Sequence, residues 1–502
     1  MHNAYMEEKT DDSILPQLHM KTVFGCDDLL AHILGFLSLP TLLQAQQACT
    51  EWARVVDSNR AVWHSLRVFV NSYAELLSRE DVVSVLQKHG RHVYDLAIDA
   101  DLAAAARHQC TSVHTLRIRC TRYLIDGMLR QVRTVRVLYL ELKWTANIPA
   151  LVEGTMDGIE ELYLQCTSVP DCEAAALGCR HLRRLRGAFS PRRLLWIIRG
   201  NPALEFLQLD TIGKQYWKDD IPEDAESILG LRQLVLTSSA VYYWIPTLRI
   251  IHGLQSYTGP IDKSILDTLE AGSAGTLEIL HQMDGRVVPD YNTRHLTSFR
   301  ELRDVDINVG AHLLASDLLQ FLEEHPALCT VRISAVSLVD DVDDPLPGSR
   351  FGHAKLQTLV LGTTDGCYGM SMPALLRITA AVPSLTSLEI QLHKYDAPAL
   401  AALLESVPLV RFLTIRSIES SDLASLAPCL RHTESVHFKL HGAELVHIRD
   451  FFVYATQPGS FVFYIANNRR GDIEFVPCPE WDQALVDCLH LRQTAHVYIP
   501  KN

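Results

Sequence analysis

The sequence predicts an α/β protein: a small helical unit, then a long array of strand-and-helix repeats with one parallel inner sheet and helices outside. Three observations predict it. Large apolar residues cluster at helical spacing between Cys26 and Leu66. An apolar-x-x-apolar-x-apolar motif then recurs over residues 93–440, and between its copies lie amphipathic stretches that end at a proline. With 502 residues, 48% of them hydrophobic, the chain can bury a large core.

In the first unit, over residues 23–68, the acidic pair Asp27 and Asp28 suits the positive end of a helix dipole. Leu29, Leu30, Ile33, Leu34 and Leu37 follow at helical spacing. Pro40 fits the first turn of a second helix, which carries Leu42 and Leu43. A third stripe holds Cys49, Trp52, Val55 and Val56, with Trp63 and Leu66 behind it. A unit this small with so many large apolar side chains must share its core with something else.

The order D-D-L-L-x-x-I-L, F-L-x-x-P, C-x-x-W, W-x-x-L resembles an F-box, with Gly25 and Cys26 standing where that family usually places Leu-Pro. The resemblance implies a module that docks on a Skp-type adaptor and through it joins a cullin-RING ubiquitin ligase. The apolar surface left over for that adaptor is Leu29, Leu30, Ile33, Leu34, Leu37, Pro40 and Leu43. Trp52 and Trp63 are expected to tie the helices to each other and to a helical linker over 69–92. The plainer alternative is an ordinary amphipathic start to a larger domain.

The repeats read VYDLAI, VHTLRI, VRVLYL, IEELYL, LEFLQL and LRQLVL, then LRDVDI, LCTVRI, LQTLVL, LTSLEI and VRFLTI, with weaker copies in LRRLRG, IHGLQS and TESVHF. Their middle apolar residues are Leu96, Leu116, Leu138, Leu162, Leu185, Leu207 and Leu234, then Leu254, Leu277, Val305, Val331, Leu359, Leu388, Leu413 and Val436. Separations of about 20 to 29 residues are those of leucine-rich repeats. Between them SPRRLLWIIRGNPAL, ASDLLQFLEEHPAL, MPALLRITAAVPSL and APALAALLESVPLV read as helices closed by Pro. A strand followed by a helix cannot close a core alone, so neighbouring units must stack.

This resembles the leucine-rich repeats that follow F-boxes in one class of ubiquitin-ligase receptors, particularly divergent fungal forms. The resemblance implies a horseshoe-shaped solenoid. The Asn or Cys expected after the last strand leucine is replaced, by Thr121, Thr167 and Ser239 among others. A doubly wound α/β domain is the competing arrangement.

By the strand period of two, the residue between the last two apolar positions faces the concave side. That position carries Arg117, Tyr139, Tyr163 and Arg186 on successive repeats, residue types enriched at binding hot spots, and they are the candidate substrate-binding residues. Two basic ends suit an acidic or phosphorylated segment. The alternative is a solvated face whose tyrosines merely stack across strands. Thr211–Gly230 and Ser334–Lys355 are acidic, Pro-containing insertions expected as surface loops. The tail over 441–502 is strand-rich and off register, and is expected to cap the last repeat.

No stretch approaches eighteen uncharged apolar residues, and the N-terminal tail over 1–22 is acidic, without the order of a secretory signal. A soluble protein of the cytosol or nucleus is expected, with its twelve cysteines as free thiols. A net charge of −13 argues against nucleic acid as a partner. No phosphate loop, nucleophile elbow or RING-like array is present, so the chain is expected to be no enzyme. Cys166, Cys172, Cys179 and His181 lack the spacing of a zinc knuckle, and no metal or cofactor is expected.

The function that follows is substrate recognition in a Skp-cullin-F-box type ubiquitin ligase: the first unit binds the adaptor and the repeats bind the target protein. A repeat scaffold without ubiquitin output is the alternative.

Overall fold

The computed structural model describes residues 26–68, 79–99, 109–120, 134–142, 156, 158–166, 169–210, 227–237, 245–283, 293–341, 352–363, 370–392, 395–441, 444–455, 459–466, 475–485, 489 and 493–500. The predicted N-terminal tail, Thr121, Thr167, Ser239 and most of the Thr211–Gly230 insertion lie outside them. The chain divides into two compact units, Met1–Asp220 and Ile221–Asn502.

The first unit opens with α1 (Asp27–Leu34), α2 (Leu39–Ala48) and α3 (Thr50–Ser58). Ser38 caps α2 through Thr41 and Cys49 caps α3 through Trp52, so each chain reversal is closed by a local side chain. The Arg54 guanidinium holds the Asp27 carboxylate through two bonds of 2.7 and 2.6 Å, tying α3 to the start of α1. That hydrogen bond keeps the Asp27 carboxyl below its ordinary range.

β1 (Ser65–Val68) then starts a sheet, followed by α4 (Arg79–His89), β2 (Asp95–Asp99), β3 (Thr115–Cys120), β4 (Val137–Leu142) and β5 (Glu161–Cys166). After α5 (Val169–Leu177) come β6 (Arg184–Gly187), α6 (Pro191–Gly200) and β7 (Phe206–Leu209). All pairings are parallel and in one register: Leu66, Leu96, Leu116, Leu138, Leu162, Leu185 and Leu207 are successive partners. Each is buried, at 4% exposure or less, which makes this row the spine of the core. The sheet therefore starts one strand earlier than the motif suggests, inside the helical unit's own C-terminal segment. That strand gives the helices the core they lack alone.

The second unit holds β8 (Gln233–Leu236), α7 (Ile245–Leu248), β9 (Ser256–Gly259), α8 (Lys263–Ser273), β10 (Ile279–Gln282), β11 (Asp304–Leu314), α9 (Ala315–Glu324) and β12 (Thr330–Val339). It continues through β13 (Thr358–Thr363), α10 (Met372–Ala380), β14 (Ser387–Gln391), α11 (Ala397–Ser406), β15 (Phe412–Glu419), α12 (Leu423–Leu426) and β16 (Ser435–His441). The predicted helices at Pro191, Ala315, Met372 and Ala397 all form, with Pro in the first turn of α6, α10 and α11.

The structure shifts two rungs of this ladder. Leu234 pairs with Tyr257, and Tyr257 with Leu280, so the strand anchors are Tyr257 and Leu280 rather than Leu254 and Leu277. Leu254 and Leu277 are buried in the turns before those strands, three residues ahead of the true anchors. Tyr257 fills the leucine position, fully buried, by donating its hydroxyl to the Pro260 carbonyl at 2.8 Å.

Two loop expectations also change. Ser334–Val339 extends β12 instead of looping out, and 342–351 lie outside the described residues. The tail is not off register: after α13 (Leu445–Tyr454), β17 (Gly459–Ala466) pairs parallel with β16, and β19 (Gln493–Pro500) parallel with β17. Between them lie β18 (Phe475–Pro477), antiparallel to β19, and α14 (Pro479–Leu485). Phe461 and Phe463 take the inward positions and pack edge-on against Phe451 and Phe452 of α13, so large aromatics replace the leucines of earlier rungs.

Two buried side chains that sequence reading passed over lock helix ends to the sheet. Asn201 donates to the Ile197 carbonyl at 2.9 Å and accepts from Leu182 N at 2.9 Å. His325 occupies the same place before Pro326, its ring nitrogens 2.8 and 2.9 Å from the Phe321 and Leu296 carbonyls. The N-P and H-P pairs ahead of each strand are the signal that could have found them.

Candidate functional site

Two surfaces of the first unit are candidates, one on the helices and one on the sheet. On α1 the helical period sorts the leucines. Leu30 and Leu34 point inward, each 1% exposed, while Leu29 and Ile33 are 43% exposed and Phe36, just past the helix end, is 77% exposed. Leu37 and Leu43 are half-buried, and Pro40 is buried at the start of α2. The exposed apolar residues here are therefore Leu29, Ile33 and Phe36, with Leu37 and Leu43 partly exposed. Leu30, Leu34 and Pro40 are core, which corrects the larger set expected from sequence. Phe36 was missed although it stands in the F-L-x-x-P motif; its spacing of three and seven from Ile33 and Leu29 is the signal.

Behind the helices, Trp63 is buried and stacks on His89 of α4, ring centroids 4.0 Å apart and planes 9° apart. Its indole Nε1 donates to the Val56 carbonyl at 2.6 Å. Trp63 thus joins α3, β1 and the helix before β2, as the sequence suggested for the linker. Trp52 is half-buried, its backbone N–H spent on the Cys49 thiol.

On the sheet the four predicted residues come together. Arg117, Tyr139, Tyr163 and Arg186 are direct register neighbours on β3 to β6. The two tyrosine rings stack at 4.3 Å with planes 7° apart, and the Arg117 guanidinium lies over Tyr139 at 4.4 Å from its centroid. With Arg119, Glu141 and Gln165 they line a shallow groove of about 270 Å³.

The electrostatics differ from expectation. Arg186 is held by Asp210 at 2.8 Å, Arg119 by Glu141 at 3.2 Å, and Arg117 stands 4.0 Å from Asp95. The Tyr163 hydroxyl donates to Glu161 at 2.8 Å, and burial together with that carboxylate pushes the phenol up. Where the sequence suggests two basic ends, the structure sets Asp95 of β2 beside Arg117 and Asp210, just past β7, beside Arg186, so the groove is charge-compensated. It offers aromatic edges, guanidinium planes and paired charges.

In the second unit the corrected frame places Thr258 and His281 on this face. They continue in register to Asp306, Arg332 and Val360. Among the described residues no group of three or more His, Cys, Asp or Glu side chains is placed to hold a metal ion. Cys172 is buried within α5 and Cys179 is buried two residues past its end, while His181 is exposed. No described helix is long and apolar enough to cross a membrane.

No curated protein matches the chain. Residues 27–68 do match the F-box-like family, so α1 to α3, with Trp63 and β1 behind them, form an F-box-like domain.

Proposed function

We propose that this chain is the substrate-recognition subunit of a Skp-cullin-F-box type ubiquitin ligase. The F-box-like domain binds a Skp-type adaptor, and the repeats, read as a leucine-rich-repeat solenoid, bind the target protein. The observation that carries the reading is the family match over 27–68 combined with the exposed apolar row Leu29, Ile33 and Phe36 on that domain. A soluble domain that leaves a row of large apolar side chains in water has a partner to cover it. The parallel rungs with a leucine at the same register position of each strand support the repeat reading.

The chain supplies no chemistry in this reading. It holds the target close to a conjugating enzyme carried by other subunits and raises the effective concentration of a target lysine there. Such a complex works in the cytoplasm or nucleus. Co-purification with adaptor and cullin, together with target stabilisation on deleting 24–66, tests the proposal. Adaptor binding without any effect on target levels would favour a scaffold instead.

The stacked tyrosines give a sharper test of the repeat half. Tyr139→Ala with Tyr163→Ala is expected to lower target recovery at least about tenfold, as for paired aromatic hot spots, while adaptor co-purification is retained. Both rings are half-exposed, so the fold should survive. Unchanged recovery by quantitative mass spectrometry would move recognition off this groove.

A further inference from the structure

Asp306 on β11 has His281 of β10 and Arg332 of β12 as its register neighbours, yet neither turns to it. His281 Nε2 lies 3.2 Å from Asp304 Oδ1, and Arg332 donates to that same oxygen at 3.1 Å. Burial works against the Asp304 carboxylate, but His281 and Arg332 together hold its carboxyl below the ordinary range. Asp306 makes no hydrogen bond or ion pair among the described residues. It is half-buried, and that burial raises its carboxyl above the ordinary range against the pull of His281 and Arg332.

Its oxygens are not among the buried unpartnered atoms of the described residues, so they stand open to a donor from outside the chain. Its surroundings leave it approachable. Thr258 and Val360 continue its row, and Ser334 and Gly362 stand one row further along, where Gly362 adds no side chain at all. The local charge is unbalanced: Asp304 is matched by Arg332, and Asp306 is the remainder. The chain as a whole, at −13, attracts cations to it.

We propose that Asp306 anchors a basic side chain, an arginine, on a protein segment laid across the strands of the second unit. Arginine fits because its planar guanidinium can meet both oxygens of a carboxylate to which no described residue donates a hydrogen bond. The positive charge of Arg332 is offset by its ion pair with Asp304. The inference rests on the target-binding reading of the repeats and names the chemistry the second unit selects.

The test uses the full chain co-purified with its adaptor, and as probes five pools of labelled twelve-residue peptides with randomised flanks. Their fixed central residue is arginine, lysine, citrulline, serine or glutamate, and binding is read by fluorescence polarisation. The arginine pool is expected to bind about tenfold tighter than its neutral isostere citrulline, the worth of one charge-assisted bond. Asp306→Asn should erase that difference and melt no lower than the natural chain. Glu323→Gln, an equal charge change on exposed α9, should leave the difference intact.

Equal binding of arginine and citrulline, an unaltered preference in Asp306→Asn, a serine preference, or no binding by any pool would overturn the proposal. These readings need no ubiquitin output. Loss of adaptor co-purification therefore reports on the ligase reading, and loss of the arginine preference reports on Asp306.

Discussion

Ile33→Asp with Phe36→Asp is expected to abolish co-purification with a Skp-type adaptor while the chain melts at its natural temperature. Both side chains already stand in water, 43% and 77% exposed, so changing them removes little from the folded monomer. In a complex each buries on the order of 1.5–3 kcal/mol of apolar surface. The two new carboxylates would in addition be desolvated against an apolar partner. Together these terms amount to a loss of at least about a hundredfold in affinity.

Leu34→Asp makes the contrast. Leu34 is 1% exposed, and a charge there is expected to unfold the helical unit rather than detach it. Loss of binding with loss of melting temperature is its signature, and loss of binding alone is that of the exposed pair. If the exposed double variant is recovered with the adaptor as efficiently as the natural chain, the row is not the interface.

The difference between those variants shows what could be read from sequence. Helical spacing located α1, but Leu29, Leu30, Ile33 and Leu34 are equally apolar. Which pair faces inward depends on where α3 and Trp63 pack, and no local pattern holds that. The sheet was more legible because its period is two: Arg117, Tyr139, Tyr163 and Arg186 fall on one face whatever the tertiary arrangement.

Where the face was misread, the cause was a substitution in the motif. Tyr257 stands in a leucine position and Gly259 in the next apolar one, so the frame slipped to Leu254. The corrected anchors Leu234, Tyr257, Leu280 and Val305 are spaced by 23, 23 and 25 residues, and that regularity was itself a usable check. The carboxylates beside the arginines were unreadable for another reason. Asp95 on β2 and Asp210 just past β7 are 22 and 24 residues from the arginines they face, and only the pairing of the strands brings them there.

Trp63→Ala is expected to cost about 3–5 kcal/mol, the range for removing a fully buried large aromatic side chain. The indole is 1% exposed, stacks on His89, and satisfies the Val56 carbonyl at the last turns of α3. Removing it opens a cavity where α3, β1 and α4 meet and strands that carbonyl. Trp63→Phe keeps the stack but not the donor, and is expected to fall between the two. Denaturant unfolding of the full chain with adaptor present measures both, and a midpoint unmoved by Trp63→Ala would show that the indole packs nothing.

The same site carries a pH signature with a definite sign. Burial against Trp63, with Lys88 alongside, lowers the His89 imidazole to about 4 from an ordinary 6.5. Unfolded chains therefore take up a proton between those values that folded chains refuse, and stability falls as pH drops from about 6.5 towards 4. Trp63→Ala re-solvates His89, so this variant should lose less stability over that interval than the natural chain does. A natural chain whose midpoint is flat across the interval, or a variant with an equally steep fall, would show that His89 is not held neutral by the indole.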